Sequence, residues 1–225
     1  SIVYIRTDTE VKAPPDLLKP AKPIVLGGFT RENNKDLALR LAFDQLGVPY
    51  KHVTGYAGVA ELRVAIQRGE INVTSESLTG YNTGGSLMVK EGVVLPLYQE
   101  GLLGPDGDTV ADARSDLPSF KEFYRRVKGG DPSGPLAEAY KISGGSRTML
   151  RFITMPPKTP SELLVLVRRA FRDTFADREF RAESERVMQF QLLSFVGEEA
   201  ERFNASVFRA ATGPTRDIVK KMALQ

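Results

Sequence analysis

The sequence has no cysteine and a single histidine among its 225 residues. The absence of cysteine excludes disulfide bonds, thiolate metal sites and a cysteine nucleophile. One histidine without cysteine also argues against a zinc site, because zinc is usually held by several nitrogen or sulfur ligands. No apolar run approaches the roughly 18 residues of a membrane-spanning helix. We therefore expect no metal, no cofactor and no membrane-spanning segment.

The chain also has little excess charge of either sign. It carries 31 basic and 28 acidic residues, for a net charge of +3. The basic pairs Arg125-Arg126 and Arg168-Arg169 stand among acidic residues, whereas nucleic-acid-binding proteins usually concentrate their positive charge on one face. The sequence therefore predicts no nucleic-acid partner, although a mildly basic protein favours small anionic ligands through its local field.

The first 100 residues alternate short apolar runs with amphipathic segments. We predict strands at 2–6, 24–26, 50–54, 71–75 and 93–98, and helices at 35–46 and 58–68. Asn33 or Asn34 is expected to cap the first helix, and Gly47 to end it. Pro96 places the last strand near an edge. This order of elements is typical of an α/β fold with parallel strands.

The last 70 residues are predicted to be mostly helical. Helices are expected there at 162–175, 177–188, 198–211 and 215–222, after two short helices at 119–127 and 135–142 and a strand at 148–155. The glycine-rich residues 143–146 are expected to form a flexible joint. The change in composition near 145–157 marks the best candidate boundary between two lobes.

Polar residues follow three successive predicted strands. The loop after the second strand offers N–H groups from Gly28 onward, neutral donors at Thr30, Asn33 and Asn34, and one cation, Arg31. It lacks a phosphate-binding glycine motif, so it is either a carboxylate site at a helix start or an ordinary strand-to-helix turn. In parallel sheets such loops share one edge, where ligands bind.

The next two loops carry Tyr56, which either lines a cleft or covers the sheet edge, and the run Ser75, Glu76, Ser77 and Thr79. No catalytic set accompanies them. His52 lies within a predicted strand, and no GxSxG nucleophile motif is present. Asp106, Asp108 and Asp112 lack the full spacing of a calcium loop. We therefore expect a binding protein and not an enzyme.

Several segments, in order along the chain, resemble the substrate-binding proteins of tripartite tricarboxylate transporters, the Bug (TctC-like) family. Each match is weak alone, but the collinear set covers most of the chain. The segments are 2–9, 26–46, 53–62, 69–73, 116–120, 155–160, 175–180 and 196–199.

The resemblance implies a type II periplasmic-binding-protein fold, with a doubly wound mixed α/β sheet and two lobes joined by a hinge at residues 7–10 and 143–155. Residues 1–10 would cross between lobes, 11–147 would form the second, ligand-binding lobe, and 148–225 would return to complete the first. It further implies a periplasmic protein that delivers a small carboxylated solute to membrane transporter subunits. The implied ligand contacts are Gly28, Phe29, Thr30, Arg31, Asn33, Asn34, Tyr56, Ser75, Glu76, Ser77 and Thr79.

Two departures from the family pattern leave a second hypothesis open. Phe29–Asn34 replaces a loop of small residues, and the glycine-rich opening segment of the first lobe, like a signal peptide, has no counterpart in this sequence. A predicted strand at residue 2 points to a trimmed or truncated chain. The alternative is a truncated or decayed lobe that acts as an interaction or sensory module. A small α/β enzyme is disfavoured because no nucleophile and base are paired.

Overall fold

The computed structural model describes residues 1–104, 108–148, 151–189, 192, 194–210 and 213–224. Within them the chain forms a mixed α/β structure. The strands are β1 (Ile2–Arg6), β2 (Ile24–Gly27), β3 (Tyr50–Val53), β4 (Val73–Glu76), β5 (Val94–Gln99), β6 (Leu102–Leu103) and β7 (Thr109–Val110). The first five build one sheet in the order β3-β2-β4-β1-β5, and β6 pairs with β7 separately.

Several helices precede residue 149, and some of them pack against the strands of the sheet. They are α1 (Asn34–Leu46), α2 (Val59–Arg68), α3 (Leu78–Gly80), α4 (Ser86–Lys90), α5 (Phe120–Lys128) and α6 (Pro135–Thr148), with a π-helical turn at Tyr81–Gly85 between α3 and α4. Short 3-10 turns occupy Thr7–Thr9 and Pro14–Leu18. Residues 78–90 are thus helical, although no helix is predicted there from the sequence.

The helices of the last part of the chain are α7 (Ser161–Ala176), α8 (Arg178–Met188), α9 (Glu198–Ala210) and α10 (Gly213–Leu224). Helix α10 packs on α6 and α1, and α9 contacts α6. By contrast, α7 buries no residue and leaves Val165 and Leu166 67% and 61% exposed. The tail is therefore attached to the sheet domain mainly through its last two helices.

Strand direction places several chain segments at one end of the sheet. Strand β2 runs parallel to both β3 and β4, while β1 runs antiparallel to β4 and β5. The carboxyl ends of β2, β3 and β4 therefore meet at one edge, which we call the carboxyl edge. The predicted parallel rhythm and the edge position of the strand that carries Pro96 are confirmed.

The sheet separates two apolar clusters because side chains alternate along each strand. Val3 and Ile5 point into a large cluster with residues of α1, α5, α6 and α10. Tyr4 points to the opposite face, where Leu62 and Ile66 of α2 and residues of α4 pack. Burial on both faces fixes the strand register and with it the positions of the loops at the carboxyl edge.

Two predictions for residues 143–155 are wrong. Residues 143–146 are helical, within α6, because Ser143 is anchored by a 2.6 Å hydrogen bond from its hydroxyl to Oδ1 of Asn34. The strand predicted at 148–155 is absent from the described part of that range, since Thr148 ends α6 and residues 151–155 pair with no strand. Residues 149 and 150 lie outside the described residues. Phe152 and Ile153 are both 72% exposed, and β propensity without a pairing partner does not make a strand.

Candidate functional site at the carboxyl edge

The carboxyl edge brings the three predicted polar loops side by side. The N–H of Gly28 donates to the carbonyl of Val53 at 2.9 Å, and the N–H of Gly55 donates to the carbonyl of Phe29 at 3.0 Å. On the other side, the hydroxyl of Thr74 donates to the carbonyl of Gly27 at 2.9 Å. These hydrogen bonds join the ends of β2, β3 and β4 into one continuous surface.

Helix α1 begins at this surface with the predicted cap. The Asn33 side chain accepts a 2.9 Å hydrogen bond from the N–H of Lys35, and Thr30 Oγ1 accepts from the N–H of Asn33 at 3.2 Å. Gly47 ends the helix with a φ of 66°, a left-handed conformation that glycine adopts without strain. The 13-residue helix directs its positive dipole end to the carboxyl edge.

The loop between β2 and α1 mixes exposed donors with donors that are already engaged. Arg31 is exposed, and its guanidinium has no ion-pair partner among the described residues. The N–H groups of Phe29 and Thr30, in contrast, donate to Oδ2 of Asp36 at 2.6 and 3.1 Å. The side chain of Asn34 is bonded to Ser143. The Arg31 guanidinium is therefore open to solvent, as are the side chains of Thr30 and Glu32.

The third polar run was predicted as a loop, but the structure places Ser75 and Glu76 at the end of β4 and Thr79 in α3, with Ser77 between them. Ser75 and Glu76 are both 0% exposed, whereas Ser77 is exposed and Thr79 is half-buried. Ser77 caps the helical segment 78–90 by accepting from the N–H of Gly80 at 3.1 Å. Tyr56, from the second loop, is half-buried against the cluster around Leu62. Ligand contact by these residues stays a prediction.

Glu76 is held by a network that the sequence did not reveal. Arg63 of α2 forms a bidentate ion pair with Glu76, donating from Nε to Oε1 at 3.0 Å and from Nη2 to Oε2 at 2.6 Å. Arg63 also donates to the carbonyl of Gly80 at 2.8 Å, and the Tyr4 hydroxyl donates to Glu76. Burial, and then the adjacent Glu76 carboxylate, raise the pKa of Tyr4. The network ties α2 to the helical segment that follows β4.

Sequence reasoning missed Arg63 and Asp36 for different reasons. Arg63 stands beside Leu62 and close to Ala65 and Ile66 on a helix, where an arginine usually keeps its charge in water, so nothing pointed to Glu76. Asp36 lies in the first turn of α1, where an acidic residue is common because it complements the helix dipole. That position was a usable signal, although it did not indicate which donors the carboxylate would meet.

The aspartates that lack the spacing of a calcium loop form ion pairs with basic side chains where the structure describes them. Asp106 lies outside the described residues, while Asp108 pairs with Lys121 and Lys141, and Asp112 pairs with Arg114. In the described part of the chain no group of three or more acidic or histidine side chains could hold a metal ion. Likewise, no helix described there is both long and apolar enough to cross a bilayer.

Comparison with known proteins identifies a similar fold but no family. No family model matches the sequence, and no curated protein matches it. Among solved structures, R. palustris Rpa4515 with adipate is similar, with a TM-score of 0.57 and 15% sequence identity. The match covers 99% of this chain and 64% of that one. This chain thus shares the α/β fold of a protein solved with a small dicarboxylate, and spans just under two thirds of its length.

We expect His52 to make stability depend on pH between about 4 and 6.5. Its Nε2 is buried without a hydrogen-bond partner among the described residues. Burial lowers the pKa of His52 from 6.5 to about 4; Arg40, Lys35 and Arg31 act in the same direction, and Asp36 opposes them. The unfolded chain then binds more protons in this window, so stability falls as pH drops from 6.5 towards 4.

We expect the loss from His52 to be about 1–2 kcal/mol after discounting for partial exposure. Urea unfolding of wild type and His52→Gln at pH 7.0, 5.5 and 4.5 measures it. The glutamine variant should lack this part of the pH dependence while keeping the part due to carboxyl groups. If the free energies of unfolding of the two proteins changed equally with pH, His52 would have to be solvated in the native state.

Proposed function

We propose that this protein binds a small carboxylated solute at the carboxyl edge, without catalysing a reaction. In this proposal it belongs to the Bug (TctC-like) type of binding protein and serves a tripartite tricarboxylate-type transporter in the periplasm. The observation that carries the proposal is the meeting of three polar loops at the carboxyl edge, one of which bears Arg31, in a fold similar to that of an adipate-bound protein.

Local charge favours an anion at this edge. Arg31 lies at the start of α1, where the helix dipole adds partial positive charge. Glu32, the residue after Arg31, is an exposed carboxylate that opposes an anion, whereas Glu61 of α2 accepts a hydrogen bond from the N–H of Ala57 at 2.8 Å. A guanidinium can bind a carboxylate through two parallel hydrogen bonds, so Arg31 is the residue that we expect to contribute most affinity.

The remaining predicted contacts fall into two groups. Thr30, Asn33, Tyr56, Ser77 and Thr79 keep exposed or half-buried side chains that can shape the site. Gly28, Phe29, Asn34, Ser75 and Glu76 are bonded within the protein or buried, so their proposed role is to position the first group. Arg63 belongs with them, because it fixes the backbone at Gly80.

The proposed division of the chain assigns residues 1–10 to the crossing strand, 11–147 to the ligand-binding lobe and 148–225 to the first lobe. Exposed apolar side chains at Phe152, Ile153, Leu163 and Val165 support this assignment, because a segment that completes a lobe presents such a face to the rest of it. The same face would serve an interaction module, which is the competing hypothesis. Solute binding distinguishes the two.

Isothermal titration of the full-length protein with adipate and other dicarboxylates tests the proposal. We expect saturable binding that Arg31→Ala weakens by about tenfold or more, since a charge-assisted contact contributes about 1.5–3 kcal/mol. Glu32→Ala is the matched control, because it removes the neighbouring exposed charge and should maintain or improve affinity. Absence of binding by folded wild type to every dicarboxylate would refute the proposed function.

A further inference from the structure

The Asp36 carboxylate lies where a ligand carboxylate was expected. It is 0% exposed, and Oδ2 accepts hydrogen bonds from the N–H groups of Phe29 and Thr30 at 2.6 and 3.1 Å. Its other oxygen, Oδ1, lies 2.8 Å from Nζ of Lys35. Two N–H groups that donate hydrogen bonds and one ammonium that forms an ion pair thus surround a single carboxylate, and we call these three groups the cradle.

The surroundings of the cradle are shaped to fit this carboxylate. A Cβ on Gly28 would stand 2.5 Å from Cγ of Asp36, so any larger residue would collide with it. The Lys35 ammonium is held 4.6 Å above the centre of the Phe29 ring, a cation–π contact that keeps it beside Asp36. Gly28, the Phe29 ring and Lys35 therefore hold the two N–H groups and the ammonium around one carboxylate.

We propose that the cradle is a carboxylate receptor whose permanent occupant is Asp36. By filling it, Asp36 excludes an external carboxylate from the N–H groups of Phe29 and Thr30. The acidic end of the solute is consequently recognised by Arg31, which makes Asp36 a specificity-determining residue. The last step rests on the proposed function, whereas the occupancy of the cradle does not.

An external carboxylate competes poorly with one that is attached to the same chain. Asp36 is seven and six residues from the donors Phe29 and Thr30 and is fixed by α1, so it loses little freedom when it binds them. A free ligand loses translational and rotational freedom on association. It would also have to expel a buried carboxylate and break two charge-assisted hydrogen bonds. Exchange is therefore disfavoured at ordinary solute concentrations.

Removal of the occupant should convert the cradle into a site for the smallest carboxylate. We expect formate to raise the thermal unfolding midpoint of Asp36→Ala saturably, by roughly 4 °C, because a ligand that binds only the native state stabilises it. Sodium chloride at equal ionic strength controls for screening. All proteins in this experiment also carry Arg31→Ala, which removes the solute contact proposed above. In that background, the protein that keeps Asp36 and the Asp36→Asn variant, which retains a side-chain oxygen acceptor, should show no response beyond the chloride effect. If the unfolding midpoint of a folded Asp36→Ala protein rose no more with formate than with chloride, the proposal would be overturned.

A second measurement decides the matter if Asp36→Ala does not fold. Amide NMR spectra of Arg31→Ala, which keeps Asp36 but lacks the proposed solute contact, are recorded with formate and, separately, with chloride. Because Asp36 already occupies the donors, the Phe29 and Thr30 signals should shift no more with formate than with chloride. A larger, saturable shift with formate would show that an external carboxylate enters the cradle and would contradict permanent occupancy. Neither formate experiment depends on adipate binding, so a failure of the proposed function remains distinguishable.

Discussion

Arg63→Ala is expected to lower the free energy of unfolding by about 3–5 kcal/mol, because it leaves the carboxylate of Glu76 buried without its cation. Glu76 is 0% exposed, and the Arg63 side chain is 27% exposed. The same substitution removes the hydrogen bond to the carbonyl of Gly80. Urea denaturation of purified wild-type and variant proteins measures the change.

Arg68→Ala provides a matched control on the same helix. Arg68 pairs with Glu70 at 3.8 Å, and both side chains are at least half exposed, so its loss should change stability by less than about 0.5 kcal/mol. A double-mutant cycle with Glu76→Ala should show strong coupling between Arg63 and Glu76. Equal effects of Arg63→Ala and Arg68→Ala would mean that the buried network contributes nothing beyond a surface ion pair.

Gly28→Ala is expected to cost about 3 kcal/mol, because the new methyl group would stand 2.5 Å from Cγ of Asp36. Asp36 is buried and cannot move aside without weakening two charge-assisted hydrogen bonds, each of about 1.5–3 kcal/mol. The backbone at Gly28 is not in the left-handed region, so the cost is steric and not conformational. Thermal or urea unfolding provides the measurement.

Gly130→Ala is the corresponding control for the added methyl group. A Cβ at Gly130 meets nothing within 4 Å, and its φ is not positive. We expect its stability to stay within about 0.5 kcal/mol of wild type. If Gly28→Ala proved equally harmless, Asp36 would have to be free to leave the cradle, and its permanent occupancy would be untenable.

The alternation of strands and helices over residues 2–99 was predictable because local signals and the fold agree there. Asn33 caps α1, Gly47 and Gly69 end α1 and α2, and Pro96 marks the edge strand. The meeting of three polar loops also followed from the parallel rhythm. What the sequence could not provide was strand order, which depends on how the whole sheet is packed.

The interior of the site was less predictable than its position. Arg63 and Glu76 are 13 residues apart, and their pairing depends on how α2 lies over β4. Asp36 meets Phe29 and Thr30 only because the loop folds back over the start of α1. At residues 143–146 the glycines favoured a joint, but packing of Tyr140 and the bonds of Ser143 to Asn34 keep the helix intact. Tertiary contacts outweighed local propensity there.

A crystal structure of the full-length protein grown with saturating adipate tests the central claim most directly. The account predicts ligand density at the carboxyl edge, with one carboxylate on Arg31, contacts from the loops at Tyr56 and Ser77, and Asp36 still in its cradle. Density for adipate at a different surface, for example beside Lys121 and Lys141, with Arg31 unoccupied, would contradict it.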